Sequence, residues 1–155
     1  MGLFGKLPAH GDFVRRGDPE LVGRLDAWLS GQLERLADDA GNDFDARLAG
    51  LPVWCFRLGD GLAGALAVSH DKVGRIYPLV AAADAGAAVS IAAVLVEARD
   101  LGLDADATGA RLLAITDEAD LGEGWWHAAD PAAVPADAGG LPTGDAFARL
   151  FAAEG

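Results

Sequence analysis

Three apolar runs crowd the middle of the chain, over 53–58, 62–69 and 75–83, separated by Gly59-Asp60-Gly61 and by a short loop through Asp71 and Gly74. Val53, Trp54 and Phe56 favour a pleated surface, and the glycine-aspartate punctuation supplies tight turns. Connections this short cannot carry a parallel crossover, so the three runs are predicted to be antiparallel neighbours in one sheet. Pro78, which lacks an amide donor, points to an edge or a bulge in the third run. A first strand over 2–7 is expected as well, followed by a structured loop in which Pro8, Gly11 and Gly17 bracket Phe13 and Val14.

Helices are expected before and after these runs along the chain. Asp18-Pro19-Glu20 combines a capping oxygen, a preset φ and an acidic first turn. Leu21, Leu25, Trp28, Leu29, Leu33 and Leu36 then recur at a helical period up to about Asp39. A short helix is expected over 43–49, with Gly50 ending it in the left-handed conformation. Residues 88–101 read as a buried helix, although Val89, Ile91, Val94 and Val96 leave a strand open. A further helix is predicted over 108–118 with Thr108 as its cap, then a strand at Trp125-Trp126 and a surface loop over 130–142. Thr143 is expected to cap a last helix that buries Phe147, Leu150 and Phe151. The pattern shows no internal repeat and no domain boundary, so a single domain over 1–155 is expected.

Composition narrows the function. Twelve Lys+Arg against 24 Asp+Glu give a net charge of -12, which repels a phosphate backbone or an anionic bilayer, so neither nucleic acid nor membrane is expected as a partner. Cations are concentrated early: residues 1–75 hold nine basic and eleven acidic side chains, and residues 76–155 hold three and thirteen. The single cysteine, Cys55, lies in an apolar run and fits a reducing compartment. The amino terminus lacks the apolar stretch of a signal peptide, and the longest uncharged apolar stretch, 85–96, is too short for a membrane span. A reducing compartment and no membrane insertion are expected.

The matches to chemical motifs are weak. Gly59-Asp60-Gly61-Leu62-Ala63-Gly64 has the spacing of a dinucleotide loop, but the residues after it are too few for the required helix, so a hairpin turn is expected. No Walker A loop, nucleophile elbow, H-E-x-x-H pair or C-x-x-C pair occurs, and His10, His70 and His127 have no ligand spacing among themselves. The informative segments are Phe4-Gly5-Lys6-Leu7-Pro8 with Gly11-Asp12-Phe13, and Ser69-His70-Asp71-Lys72-Val73-Gly74-Arg75 with Tyr77-Pro78-Leu79. Both mix glycines with an isolated carboxylate and cations, as loops held in fixed shapes do. Asp12 and Asp71 serve either as caps of backbone amides and partners of Lys6 or Arg75, or as part of a recognition surface. An alternative joins Asp12, Asp71 and a histidine in a small metal- or phosphate-dependent hydrolase or ligand-binding site.

Those two segments resemble the TagF/ImpM family of type VI secretion-associated proteins. The amino-terminal pattern is carried by Gly2, Phe4, Gly5, Lys6, Leu7, Pro8, Gly11, Asp12 and Phe13. The second is carried by Ser69, Asp71, Val73, Gly74, Arg75, Tyr77, Pro78 and Leu79. Trp28-Leu29, Pro52-Val53-Trp54 with Phe56, Trp125-Trp126 and Gly140-Leu141-Pro142 extend the likeness over most of the chain. Val68 stands where the family usually has proline, and Cys55 where it often has arginine. The resemblance implies an α/β domain with a central, largely antiparallel or mixed sheet flanked by helices, and a cytoplasmic post-translational repressor of type VI secretion that binds a forkhead-associated-domain scaffold protein of the apparatus, with no catalytic activity, metal or cofactor. It also implies a functional link to a protein phosphatase, which here would be a separate chain. Lys6, His10, Asp12, Phe13, Ser69, Asp71, Lys72 and Arg75 are the candidate contact residues, and Gly5, Pro8, Gly11, Trp28, Trp54, Gly74, Pro78 and Trp126 the candidate structural ones.

Overall fold

The computed structural model describes residues 1–84, 87–117, 124–129 and 140–151. Six strands, β1 (Gly2–Gly5), β2 (Val14–Gly17), β3 (Trp54–Arg57), β4 (Ala63–His70), β5 (Ile76–Ala83) and β6 (Gly124–His127), form one sheet in the order β2-β1-β5-β4-β3-β6. Every pairing is antiparallel. Five helices accompany it: α1 (Pro19–Ala40), α2 (Phe44–Ala49), α3 (Ala88–Leu101), α4 (Ala105–Leu113) and α5 (Asp145–Arg149). The fold is α/β, as the resemblance implies.

Both faces of the sheet are covered, which explains why its strands read as unbroken apolar runs. Successive side chains point to opposite faces, so Phe4, Phe56, Leu66, Val80 and Trp125 join the core under α1, together with Leu25, Leu29 and Phe147. Leu3, Cys55, Ala65, Ala67, Ala81 and Trp126 join the core under α3 and α4, with Ile91, Leu95 and Leu112. Gly64, the last glycine of the dinucleotide-like spacing, lies inside β4, where a Cβ would overlap the Phe56 ring and the Ala81 carbonyl. The spacing belongs to a hairpin turn: Asp60 Oδ1 accepts from the Leu62 amide at 3.0 Å and the Gly61 amide donates to Leu58 at 2.9 Å.

Several boundaries differ from expectation. Residues 14–17 form an edge strand, not a loop; Val14 is its one buried side chain, too little for an apolar pattern to reveal. Strand β5 is interior, not at an edge, since it pairs with both β1 and β4. Pro78 is tolerated because the β1 ladder ends one residue earlier, at Gly5 opposite Leu79. Helix α1 starts as predicted, with Asp18 accepting from the Glu20 amide at 3.1 Å. Helix α4 begins at Ala105, not at Thr108: Asp104 offers the earlier cap, accepting from the Ala107 amide at 2.8 Å. Thr108 is buried inside the helix, its hydroxyl donating back to the Asp104 carbonyl at 2.8 Å.

Two further glycine and cap positions are corrected. Gly50 follows α2 with φ -88°, not left-handed, its amide donating to Ala46 at 3.2 Å. Helix α5 has no side-chain cap from Thr143; Gly144 takes the cap position and its amide donates to Gln32 Oε1 at 2.8 Å. The carboxy-terminal segment is also pinned by indoles: Trp28 donates to the Pro142 carbonyl at 2.7 Å and Trp54 to that of Leu150 at 2.9 Å. Helix α4 also ends at Leu113, short of the expected 118, and residues 114–117 are not helical; residue 118 itself and 130–139, most of the expected surface loop, lie outside the described residues.

Candidate protein-interaction surface

The two glycine-punctuated segments meet at one end of the sheet, and Asp71 is the reason. Its carboxylate is fully buried. Oδ2 accepts from Lys6 Nζ at 2.9 Å and from Arg75 Nε at 2.7 Å, and Oδ1 accepts from the amides of Val73 at 3.1 Å and Arg75 at 2.9 Å. Four donors fill the acceptor positions of a carboxylate. Burial alone would push the Asp71 pKa up, but the Lys6 ammonium, the Arg75 amide and guanidinium and the Val73 amide outweigh it and hold the carboxyl well below its ordinary range. The turn closes on itself, with the Asp71 amide donating to Arg75 and the Gly74 amide to Asp71, both at 3.0 Å. Gly74 has φ 91°, a region that favours glycine.

Loop one is fastened to this turn from outside. Arg75 Nη2 donates to the Gly11 carbonyl at 3.0 Å and the Lys72 amide to the His10 carbonyl at 2.7 Å. His10 Nε2 accepts from the Ala105 amide at 2.9 Å, which ties the same loop to the start of α4. Gly5 has φ 137° and lies so close to Pro78 that a Cβ would overlap its carbonyl oxygen. Pro8 is half-buried and Gly11 exposed; a Cβ on Gly11 would meet nothing within 4 Å, so it contributes through its carbonyl.

The candidate contact residues therefore separate into two sets. Lys6, Ser69 and Asp71 are buried, and of these Lys6 and Asp71 hold the loops from within. Asp12, Phe13, Lys72 and Arg75 are exposed, and His10 is half-buried. Asp12 Oδ1 accepts from the Phe13 amide at 2.7 Å. The Phe13 ring is 42 % exposed, yet it stacks on Phe4 with centroids 5.5 Å apart and stands edge-on to Tyr77 at 4.9 Å. Lys6 Nζ lies 4.8 Å from its centroid. Among the candidate structural residues, Trp28, Trp54 and Trp126 are buried, as are Gly5 and Pro78.

Two apolar side chains of this end of the sheet escaped the sequence reading as surface groups. Val73 is 72 % exposed and Ile76 40 % exposed. An apolar residue in a strand-like run reads as core, and only the register shows that Ile76, opposite His70, lies past the ends of the β1 and β3 ladders. The loops converge, but not around a shared acid-base pair: Asp71 is saturated from within, and Asp12 engages its neighbouring amide at the surface. Among the described residues no group of three or more His, Cys, Asp or Glu side chains could hold a metal ion, and no helix is long and apolar enough to cross a membrane.

Comparison with known proteins follows the same residues. The family model of the TagF N-terminal domain, described as type VI secretion system-associated, matches residues 2–123. The crystal structure of PA0076 from Pseudomonas aeruginosa PAO1 superposes with a TM-score of 0.62 at 24% identity, covering 75% of this chain. The chain spans 62% of that protein's length, and the likeness is one of fold. No curated protein matches it in sequence.

Proposed function

The chain belongs to the TagF N-terminal domain family of type VI secretion-associated proteins, and from that membership we propose that it is a cytoplasmic repressor of type VI secretion acting by protein binding. Its partner in this reading is a forkhead-associated-domain scaffold protein of the apparatus, with a phosphatase linked to it only as a separate chain. The supporting observation is the locked pair of loops: a buried carboxylate fixes both, and they present Asp12, Phe13, Lys72, Val73 and Arg75 on one outer face. Rigid, partly apolar surface flanked by charge suits recognition, because little ordering entropy is lost on binding. The chain has no catalytic activity or cofactor in this reading, since Asp71 has no oxygen left for a metal or a proton transfer.

The test is co-purification from a host that encodes the secretion cluster, with Asp12→Lys and Lys72→Glu as variants. These two side chains are exposed and outside the Asp71 cluster, whereas reversal at Arg75 would disturb folding and contact together. Retention of the scaffold by the wild-type chain and its loss with either reversal is expected. A wild-type chain that retains no secretion component overturns the reading.

A further inference from the structure

Strand β4 outruns its neighbour β3. Their ladder ends at Trp54 opposite Leu66, and the residue next in register to face Val68 is Pro52, which has no amide to donate. The Val68 carbonyl takes a hydrogen bond from Arg99 Nη1 on α3 instead, at 3.1 Å. An open cleft of about 390 Å³ lies over this uncovered strand end, walled by Ala49, Val68 and Ile76 and rimmed by Ser69, His70 and Arg99.

Ser69 and His70 are the uncharged polar side chains that line the cleft. Ser69 is 3 % exposed, and its hydroxyl has no hydrogen-bond partner among the described residues. A buried hydroxyl left unpaired is costly and rare, and Ser69 lines the cleft. The His70 ring uses Nδ1 to donate to the Asp71 carbonyl at 3.0 Å, which leaves Nε2 for a polar group of an occupant. The charges here run against the rest of the chain. Lys72 and Arg75 are exposed beside the cleft and Arg99 is on its rim, paired with Asp100 at 2.8 Å, in a protein of net charge -12. Ile76 of the apolar wall and Val73 of the adjoining turn are both exposed, so an occupant is not enclosed.

We propose that this cleft seats an extended segment of a protein partner, with one apolar side chain lodged between Ala49 and Ile76 and flanking carboxylates facing Lys72, Arg75 and Arg99. The proposal rests on the reading of the chain as a binding module and specifies the chemistry that it binds. The apolar walls take the anchor, the Ser69 hydroxyl and His70 Nε2 take polar groups of the segment, and the three cations select acidic flanks.

Two probes and two variants test this. The blocked peptide Asp-Glu-Phe-Asp-Glu and its counterpart Lys-Lys-Phe-Lys-Lys are titrated into the labelled full chain, with amide shifts read by NMR, and the purified scaffold protein is titrated in parallel. Ala49→Trp fills the cleft from an exposed helix end, and Ile76→Asp makes its wall anionic; Leu113→Asp, on exposed α4, is the control. The acidic peptide is expected to shift Ser69, His70, Ile76 and Arg99 and the basic one to leave them in place. Either cleft variant is expected to weaken both acidic peptide and scaffold by roughly tenfold or more, the control neither. No shift with the acidic peptide, an equal response to the basic one, or cleft variants that bind the scaffold as the wild type does would each overturn the proposal. Self-association lost in Ala49→Trp would assign the cleft to a second copy and overturn it too. An acidic peptide that seats in the cleft of a chain unable to retain the scaffold would uphold the cleft and remove the scaffold from the proposed function.

Discussion

Replacing Lys6 by methionine removes one of the two cations on Asp71 while keeping the length and apolar stem of the side chain. Removing one partner of a buried ion pair costs about 3–5 kcal/mol when the remaining charge is left uncompensated. Asp71 keeps Arg75 Nε at 2.7 Å and the amides of Val73 and Arg75. The loss therefore reduces to one charge-assisted hydrogen bond, about 1.5–3 kcal/mol, and the cation over Phe13, about 0.5–1 kcal/mol. Burial of the methionine end returns about 1 kcal/mol, leaving a net destabilisation of about 2 kcal/mol. For a chain of this size that lowers Tm by about 4–8 °C. The pH dependence has a definite sign. A carboxyl held below its ordinary value of 3.8 stabilises the fold fully above that value, and the stabilisation is lost as pH falls below it. Urea titrations of both proteins should show the full gap at neutral pH and a smaller one at about pH 3. A gap under about 0.5 kcal/mol at neutral pH, or one that stays constant into acid, refutes the assignment of Asp71 as the clamp of the two loops.

Other substitutions test the same structure at different points. Burial pushes the Cys55 thiol up to about 12, so a thiolate-directed reagent at mildly alkaline pH should label it only at the rate of global unfolding; prompt labelling of the folded chain contradicts its place in the core. Gly64→Ala drives a methyl into the Phe56 ring and the Ala81 backbone and should cost about 1–3 kcal/mol in urea denaturation, whereas a neutral result would place β4 in another register. Asp12→Lys and Lys72→Glu are exposed and should leave stability within about 0.5 kcal/mol; a larger loss by thermal denaturation would make them structural residues.

Local signals carried much of the architecture because they are local in cause. Asp18-Pro19 and the leucine spacing define α1, and tight turns force β3, β4 and β5 into an antiparallel set. The misses share a different cause. Strand β2 owes its existence to β1 beside it, with a single buried side chain, Val14, to announce it. The start of α4 turned on a competition between Asp104 and Thr108, either of which is a good cap. At the candidate site the sequence placed Asp71 and Arg75 in one turn and offered Lys6 and Arg75 as partners of either Asp12 or Asp71; that both cations choose Asp71 depends on a contact across 65 residues, a separation that no spacing rule spans. Two readings of Asp71 were open, partner contact or internal clamp, and burial decides for the clamp. Ile76 shows the reverse error: its run looks like core, and only the ends of the neighbouring ladders expose it.

The clamp and the outer face differ in one measurable respect, their access to salt. Asp71 is fully buried and the Lys6 side chain 10% exposed, so dissolved ions screen that pair weakly. Asp12 and Lys72 are in water, where the Debye length falls from about 8 Å at physiological ionic strength to about 3 Å in molar salt. Raising salt should therefore weaken partner binding, chiefly through a slower association rate, while the stability difference between wild type and Lys6→Met stays nearly constant. Both quantities come from the same protein, by stopped-flow association and by urea titration across a salt series. If the Lys6→Met gap collapses along with the association rate, the pair is open to solvent and cannot be what holds the loops. If neither changes, the exposed charges do not steer the partner, and recognition rests on Phe13, Val73 and Ile76.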